Sequence, residues 1–143
     1  MAIPAQTSPA RRVVVVPLVL IPTVSNSEEW AYSTGGAVIP RDVLAQRNER
    51  IVAWFGATIY VAALGGIGEV VPVFYAEDTT QHDLITPLIV RSDLTGRQSF
   101  IKGPLDVTNM LRGPLVCVRA AARALVPGVD VSFFHAAVTF MVQ

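Results

Sequence analysis

The densest group of side chains that could hold a metal ion lies in one polar stretch of the chain. Glu77, Asp78, His82 and Asp83 place three carboxylates and an imidazole within seven residues. Oxygen-rich loops of this kind bind calcium, and an added imidazole suits a transition ion. Thr79–Gln81 lie between these residues, and a solvated acidic hairpin loop has the same composition. We therefore expect neither a metal nor another cofactor here.

The sequence lacks a pattern for nucleophilic catalysis. Its two histidines are His82 and His135, and a Ser-His-Asp arrangement needs one of them beside a serine. The chain has no G-x-S-x-G motif, and Cys117 is its only cysteine. His135 follows Phe133 and Phe134, which favours a core or interface histidine over a catalytic base. We expect a protein without catalytic residues that is not an enzyme.

Candidates for phosphate binding are few. The GGIG sequence at Gly65–Gly68 lacks both the G-x-G-x-x-G spacing and a P-loop lysine, so a turn is predicted there. Arg11 with Arg12, and Arg119 with Arg123, could contact a phosphate backbone. The formal net charge is zero, however, and proteins that bind nucleic acid through its backbone carry an excess of basic residues. No direct nucleic-acid partner is expected.

The composition indicates an interface. Hydrophobic residues make up 52% of the chain and charged residues 15%, whereas globular domains average roughly 45–50% and about 25%. A chain of 143 residues has the size of one compact domain. A domain of this size cannot hide so much apolar surface within itself. Other subunits, a ligand or lipid must therefore cover part of it.

Two apolar stretches look like targeting or membrane segments. The run 13–24 follows two arginines as in a signal peptide, but Pro17 and Pro22 would disrupt its helix. Ile51–Gly68 carries no formal charge over eighteen residues, the minimum for a transmembrane helix. Its β-branched, aromatic and glycine residues instead suit a buried strand that ends at a turn. We expect no membrane span.

Strands are predicted over most of the remaining chain. Leu115–Leu125 alternates an apolar face with a mixed one, although a helix is the competing interpretation of its alanine-rich part. Pro127 and Gly128 form a turn into a last strand, Val129–Val142, and neither face of that strand suits water. Arg41–Arg50 is the one predicted helix, of two to three turns.

These elements predict an all-β fold, an antiparallel two-sheet sandwich that is jelly-roll-like. It has about eight strands in residues 13–143, one short helix, and an extended N-terminal arm at residues 1–12. The outer faces of a sandwich should be polar, so strands with two apolar faces imply cover from the arm or from neighbouring subunits. The candidate interface residues are Arg11, Arg12, Val14, Val16, Leu18, Phe133, His135 and Met141.

This pattern resembles the small single-jelly-roll shell and capsid-decorating proteins of viruses. The resemblance rests on the arm with Arg11 and Arg12, the valine-rich first strand, the strand count and the hairpin at Val126–Asp130. It implies a structural protein that assembles into a symmetric multimer with itself and other shell proteins, in a virion assembled in the host cytoplasm. Coat proteins that package RNA have strongly basic arms, but the first forty residues here hold two basic side chains. An outer shell or decorating role is therefore expected.

A ligand- or carbohydrate-binding β-sandwich module is the alternative. Trp54 and Tyr60 would form an aromatic platform, and His82 in the polar loop would add specificity. This alternative predicts a cytoplasmic monomer with a deep pocket, whereas the first hypothesis predicts a multimer.

Overall fold

The computed structural model describes residues 12–18, 25–34, 36–45, 48–75, 82–111 and 113–143. In this part of the chain, ten strands and a one-turn helix follow one another. The helix α1 (Arg41–Leu44) lies between β3 and β4, and 3-10 turns lie at Thr86–Leu88 and Thr108–Met110. The strands are β1 (Arg12–Pro17), β2 (Ala31–Tyr32), β3 (Ala37–Pro40), β4 (Ile51–Val61), β5 (Gly68–Tyr75), β6 (His82–Leu84), β7 (Val90–Ser92), β8 (Gly96–Asp106), β9 (Leu115–Ala124) and β10 (Val131–Val142).

The strands form two antiparallel sheets. One has the order β1-β10-β4-β8, and the other has the order β2-β9-β5-β6, with β3 also paired to β9 and β7 to β5. Because β2 and β3 share one partner strand, and β6 and β7 share another, each of these pairs is one interrupted strand. The eight resulting positions pair first with eighth, second with seventh, third with sixth and fourth with fifth. This is the wrapping of a jelly roll, so the predicted two-sheet sandwich is confirmed.

The core lies between the sheets because alternate residues of each strand point inward. In β4, every odd-numbered residue from Ile51 to Val61 is buried, and the even-numbered ones are partly or well exposed. The largest fully buried side chains are Phe55, Phe133 and Phe140. Burial of one such side chain contributes roughly 1.5–3 kcal/mol to folding, so this shared layer holds the sheets together.

The GGIG sequence forms the predicted turn between β4 and β5. Gly65 has a φ of +80°, a conformation that glycine adopts without a steric cost. A Cβ atom at Gly68 would lie 2.5 Å from Cγ1 of Val131, so the backbone of β5 starts directly against β10. The glycines therefore serve a tight turn and a close approach of strands.

The alanine-rich part of β9 is a strand despite its helix propensity. β9 lies between β5 on one side and β2 and β3 on the other, and its backbone hydrogen bonds go to both neighbours. Tertiary pairing thus outweighs local preference. Ile51–Gly68 forms β4 and the turn after it, and no helix in the described ranges is long and apolar enough to cross a membrane.

The predicted helix at Arg41–Arg50 is wrong beyond its first turn. α1 ends at Leu44, and Ala45 is already extended, with a φ of −150°. Pro40 supplies no side-chain cap, and both Leu44 and Ala45 are buried. Arg50 has backbone hydrogen bonds with Gln143 in both directions, so the chain at this point continues into β4. A single helical turn, with Leu44 and Ala45 buried in the core, therefore takes the place of the predicted amphipathic helix.

Asp106 joins the end of β8 to the start of β4. The side-chain hydroxyl and the backbone N–H of Thr108 donate to its Oδ1 at 2.7 and 3.0 Å, and Arg50 donates to Oδ2 at 3.1 Å. Thr108 in turn accepts a hydrogen bond from the N–H of Ile51 at 2.9 Å. The bonds from Thr108, followed by the one from Arg50, lower the pKa of Asp106 below its usual value.

This lowered pKa predicts a pH dependence of stability. A carboxylate with a lower pKa in the folded state stabilises the fold above the unfolded pKa of about 3.9, and this contribution is lost as the pH falls through the folded value. The free energy of unfolding should therefore decrease more steeply below about pH 4 in the native protein than in D106N. Urea unfolding at pH 7, 4 and 3 tests this, with D93N as the exposed control. Equal pH profiles for native protein and D106N would contradict the assignment.

Candidate interaction surfaces

The outward side of the β1-β10-β4-β8 sheet is an apolar surface, here called the apolar face. Among the described residues of β1, β10 and β4, only Arg12 carries a formal charge. The exposed fractions are 57% for Val13, 60% for Val15 and 80% for Ile101. Arg97 of β8 also lies on this side, opposite Tyr60, and its guanidinium stacks over Phe134 with 4.8 Å to the ring centroid. The other members are partly buried or carry small or hydroxyl side chains: Val52, Trp54, Gly56, Thr58, Tyr60, Ser99, Phe134, Ala137, Thr139 and Met141.

A trough crosses this face at right angles to the strands. Its floor is the cross-strand pair Ala137 and Gly56, whose side chains are the smallest in the sheet, and Ile101 follows on β8. One wall is formed by Trp54 with its neighbour Thr139. The trough has a volume of about 290 Å³. A Cβ atom on Gly56 would be 3.5 Å from Ile101, so the glycine leaves space that a larger residue would fill.

The opposite wall is polar and contains a β-bulge. The hydroxyls of Thr58 and Ser99 are 2.9 Å apart and share a hydrogen bond. The register of β10 against β4 shifts between Phe134 and Ala137, and His135 in this bulge has a φ of +53°. That conformation costs a residue other than glycine about 1–3 kcal/mol. The bulge places the exposed imidazole of His135 at the edge of the trough.

Half of the expected interface residues lie elsewhere, and the bulge accounts for Phe133 among them. Val16, Leu18 and Phe133 are 5% exposed or less and belong to the core, and the partly buried Val14 packs against that core. The alternation of β1 turns Val13 and Val15 outward instead. Residues 13 to 16 are all valine, so the sequence does not show which of them point into the core. Sequence reasoning therefore chose the wrong face of β1.

Three further candidates have different surroundings. Met141 lies on the apolar face opposite Val13 and Val52. Arg12 forms an ion pair with Glu49 of its own chain. This pair fixes the start of β1 and leaves Arg12 less available to a neighbour. Arg11 lies outside the described residues.

The residues proposed for ligand binding are not brought together. Trp54 and Tyr60 lie on the same face of β4, but they are six residues apart, or ~20 Å along a strand. Tyr60 lies beside Arg97 and Ser132 at the end of the sheet. His82 begins β6 in the other sheet. Of the three, Trp54 alone lines the trough.

The outward side of the other sheet is covered by its own long side chains and is here called the arginine face. Glu69 on β5 has a side chain only 6% exposed and accepts from two arginines. Arg123 donates to it from Nε at 2.8 Å, and Arg91 donates from Nε at 3.2 Å. The Arg123 guanidinium also stacks on Trp30, with 4.3 Å to the ring centroid. Next to this ion-pair group, Val71, Val73 and Ala121 form a second small apolar cluster, and Trp30 packs against it together with Leu84 and Ile89.

Arg119 is the third arginine of this face and has a different environment. It lies opposite Val73, and its guanidinium stacks on Tyr75 with 4.3 Å to the ring centroid. Its Nε is buried and has no hydrogen-bond partner among the described residues. Sequence reasoning placed Arg119 and Arg123 together on one face but could not show that Glu69 pairs with Arg123 alone of the two.

The structure describes two of the four residues of the candidate metal cluster, His82 and Asp83. Within the described ranges, no group of three or more His, Cys, Asp or Glu residues lies close enough to hold an ion. Glu77 and Asp78 of the candidate cluster lie outside these ranges.

Comparisons with known structures give a distant likeness of fold. A chain in the structure of infectious bursal disease virus, Gx strain, superposes with a TM-score of 0.47 at 10% sequence identity. The match covers 93% of this chain and 32% of that one, so this protein spans about a third of the length of its structural neighbour. No family model matches the sequence, and no curated protein matches it. Any functional proposal therefore rests on the apolar face and the arginine face.

The buried carboxylate of the arginine face predicts a large effect of a small substitution. E69Q removes the charge that Arg91 and Arg123 share and leaves Arg123 without its ion pair. Breaking a buried ion pair in this way costs on the order of 3 kcal/mol. Chemical unfolding should show such a loss for E69Q and a much smaller one for R91M, because Arg91 is 60% exposed. Similar losses in both variants would contradict this account of Glu69.

Proposed function

We propose that this protein is a non-enzymatic structural subunit that assembles with copies of itself into a symmetric multimer, as a shell or decorating protein of a virion. The observation that carries the proposal is the apolar face. Val13, Val15 and Ile101 are each more than half exposed on one side of a sheet whose three strands β1, β10 and β4 hold one formal charge among their described residues. Exposed apolar patches of this extent mark surfaces that bind other proteins.

The size of the apolar face suits a subunit interface. The strands β1, β10, β4 and β8 have 6, 12, 11 and 11 residues. At ~3.3 Å per residue and ~4.8 Å between strands, their outward side covers roughly 630 Å² on one subunit, below the ~800 Å² that each partner contributes to a standard interface. A second copy offers a matching surface, because two copies of one apolar face can pack about a twofold axis.

The edge strand β1 adds a second argument for assembly. β1 pairs with β10 on one side, and the described residues supply no strand on its other side. Exposed strand edges attract further chains, and soluble monomers usually protect them with charges or bulges. The N-terminal arm is joined to this edge, and we propose that it contacts a neighbouring subunit. Its two basic residues within the first forty give no support for binding a genome.

The place in a virion is supported by the fold in a general way. Jelly rolls form the shells of many viruses, but lectins and cupins share the same architecture. The apolar face favours the shell or decorating role over those alternatives, since a subunit of a closed shell buries outer faces that a monomer leaves in water. We propose assembly in the host cytoplasm, with further shell proteins as partners.

Solution mass from light scattering tests the proposal with matched variants. Native protein should form a multimer of fixed mass. V15D places a carboxylate in the apolar interface, at a cost of about 2 kcal/mol or more per contact, and should weaken association at least ~30-fold. V43D is the control, because Val43 is 65% exposed on α1, away from both sheets' outer faces. A chain without residues 1–11 should associate more weakly than the native protein.

Two outcomes would overturn this proposal. The first is a native protein that stays monomeric at all concentrations tested. The second is a multimer whose mass responds equally to V15D and V43D, because the apolar face would then have no special part in assembly.

A ligand-binding module is the second candidate, favoured by the trough alone. A tryptophan wall, two hydroxyls and an imidazole around an apolar floor suit a small ligand with one apolar and one polar face, such as a sugar ring. NMR titration of monomeric protein with glucose, galactose and N-acetylglucosamine should then shift the Trp54 indole signal, and W54A should abolish binding. Y60A, on the same face outside the trough, is the control. No shift with any of these sugars would exclude this candidate for them.

A further inference from the structure

Among the described residues, no carboxylate pairs with Arg119. The ion pairs of the arginine face use Glu69, which is shared by Arg91 and Arg123. Arg119 is partly buried, and its guanidinium lies on the face of the Tyr75 ring. Stacking satisfies the face of a guanidinium but not the N–H groups around its edge, which point in the guanidinium plane and require acceptors. The charge of Arg119 thus has no counter-ion among the described residues, and an anion from another molecule would supply one.

The chain has a surface of opposite charge at one end of the sandwich. Backbone hydrogen bonds join residues 25–30, 62–67 and 125–130 there: Gly128 donates to Asn26, Ala124 to Ser27, Leu125 to Ile67 and Ala62 to Asp130. Residues 93–95 follow β7, which pairs with the start of β5 at the same end. We call these four segments the acidic end. They contain Glu28, Glu29, Asp93 and Asp130, and no lysine or arginine.

These four carboxylates are available to another chain. All four residues are exposed, and none of them forms an ion pair with another described residue. The chain as a whole has no net charge. The described residues of the arginine face thus carry more positive than negative charge, and the acidic end carries only negative charge. Such a separation makes each copy complementary to the next.

We propose that a carboxylate from the acidic end of a second copy of this chain completes the site at Arg119. The contact joins two different surfaces, so it is heterologous and generates a ring or a chain of subunits. This inference rests on the proposed function, because it assigns a second, polar contact to the assembly. It predicts that Arg119 donates to the incoming carboxylate from the edge of its guanidinium while its face stays on Tyr75.

The salt dependence of association separates this contact from the apolar one. Charge pairs weaken as the Debye length falls from ~14 Å to ~4 Å between 50 and 500 mM salt, whereas apolar packing does not. Sedimentation velocity of the native protein should show larger species at about 50 mM than at about 500 mM NaCl. In R119M, and in the quadruple variant E28Q/E29Q/D93N/D130N, the larger species should be absent at both salt concentrations.

The controls keep this test independent of folding and of the proposed function. R50M removes an exposed arginine at another place and should behave as the native protein does. The quadruple variant alters only exposed loop side chains, so its result holds even if R119M unfolds. In V15D, the salt-dependent species should persist although the apolar contact is lost. A native protein that is monomeric at high salt would therefore contradict the proposed apolar contact but not the polar contact.

Three results would overturn the polar contact. One is an equal mass of the native protein at both salt concentrations. Another is a quadruple variant that associates as the native protein does at low salt. The third is a monomer whose melting temperature rises with inorganic phosphate in the native protein but not in R119M, because a small anion would then occupy the site in place of a second copy.

Discussion

The pairing of β10 with β4 is the contact on which the rest of the structure depends. These two strands join over ten register positions, from Val131 with Val61 to Val142 with Ile51. They contain no formally charged residue, and their inward side chains, Phe55 and Phe140 among them, form the middle of the core. Because side chains alternate along a strand, filling the core with one half of these residues commits the other half to the outside. The apolar face is the direct consequence of that commitment.

The two sheets differ in how their outward apolar residues are covered. Strands β9 and β5 also have apolar residues on their outward side, but Trp30, Leu84 and Ile89 pack against Val71, Val73 and Ala121. Arginine suits this task, since its stem packs on apolar residues while its guanidinium stacks on Trp30 or Tyr75. On the β1-β10-β4-β8 sheet, Arg97 stacks over Phe134 toward one end, whereas the centre holds the small residues Gly56 and Ala137. Long side chains therefore cover the outward apolar residues of one sheet, and those of the other sheet stay more exposed.

The sequence contains the period of the strands, and most of the fold follows from that period. Turn residues and alternating side chains locate β4, β9 and β10 to within a few positions. Adjacent residues within each of these segments favour an extended chain. The orientation of β1 could not be obtained in this way, since four consecutive valines show no alternation. The bulge at His135 reverses the inside and outside of β10 halfway along, and no local signal marks it. The helix at Arg41 ended early because backbone pairing with Gln143 competes with it.

The site residues were harder to predict than the strands because their roles depend on contacts distant in sequence. Arg119 and Arg123 occupy equivalent positions four residues apart on β9, and the sequence gives them equal standing. Glu69, fifty-four residues away from Arg123, decides between them: its register position faces Arg123 and Arg91, not Arg119. A difference of one cross-strand neighbour gives Arg123 a carboxylate partner and leaves Arg119 without one among the described residues. The proposed assembly would then have one contact that depends on salt, at Arg119, and one that does not, on the apolar face of the opposite sheet. Such an assembly would keep its apolar pairs while the links between pairs respond to ionic conditions.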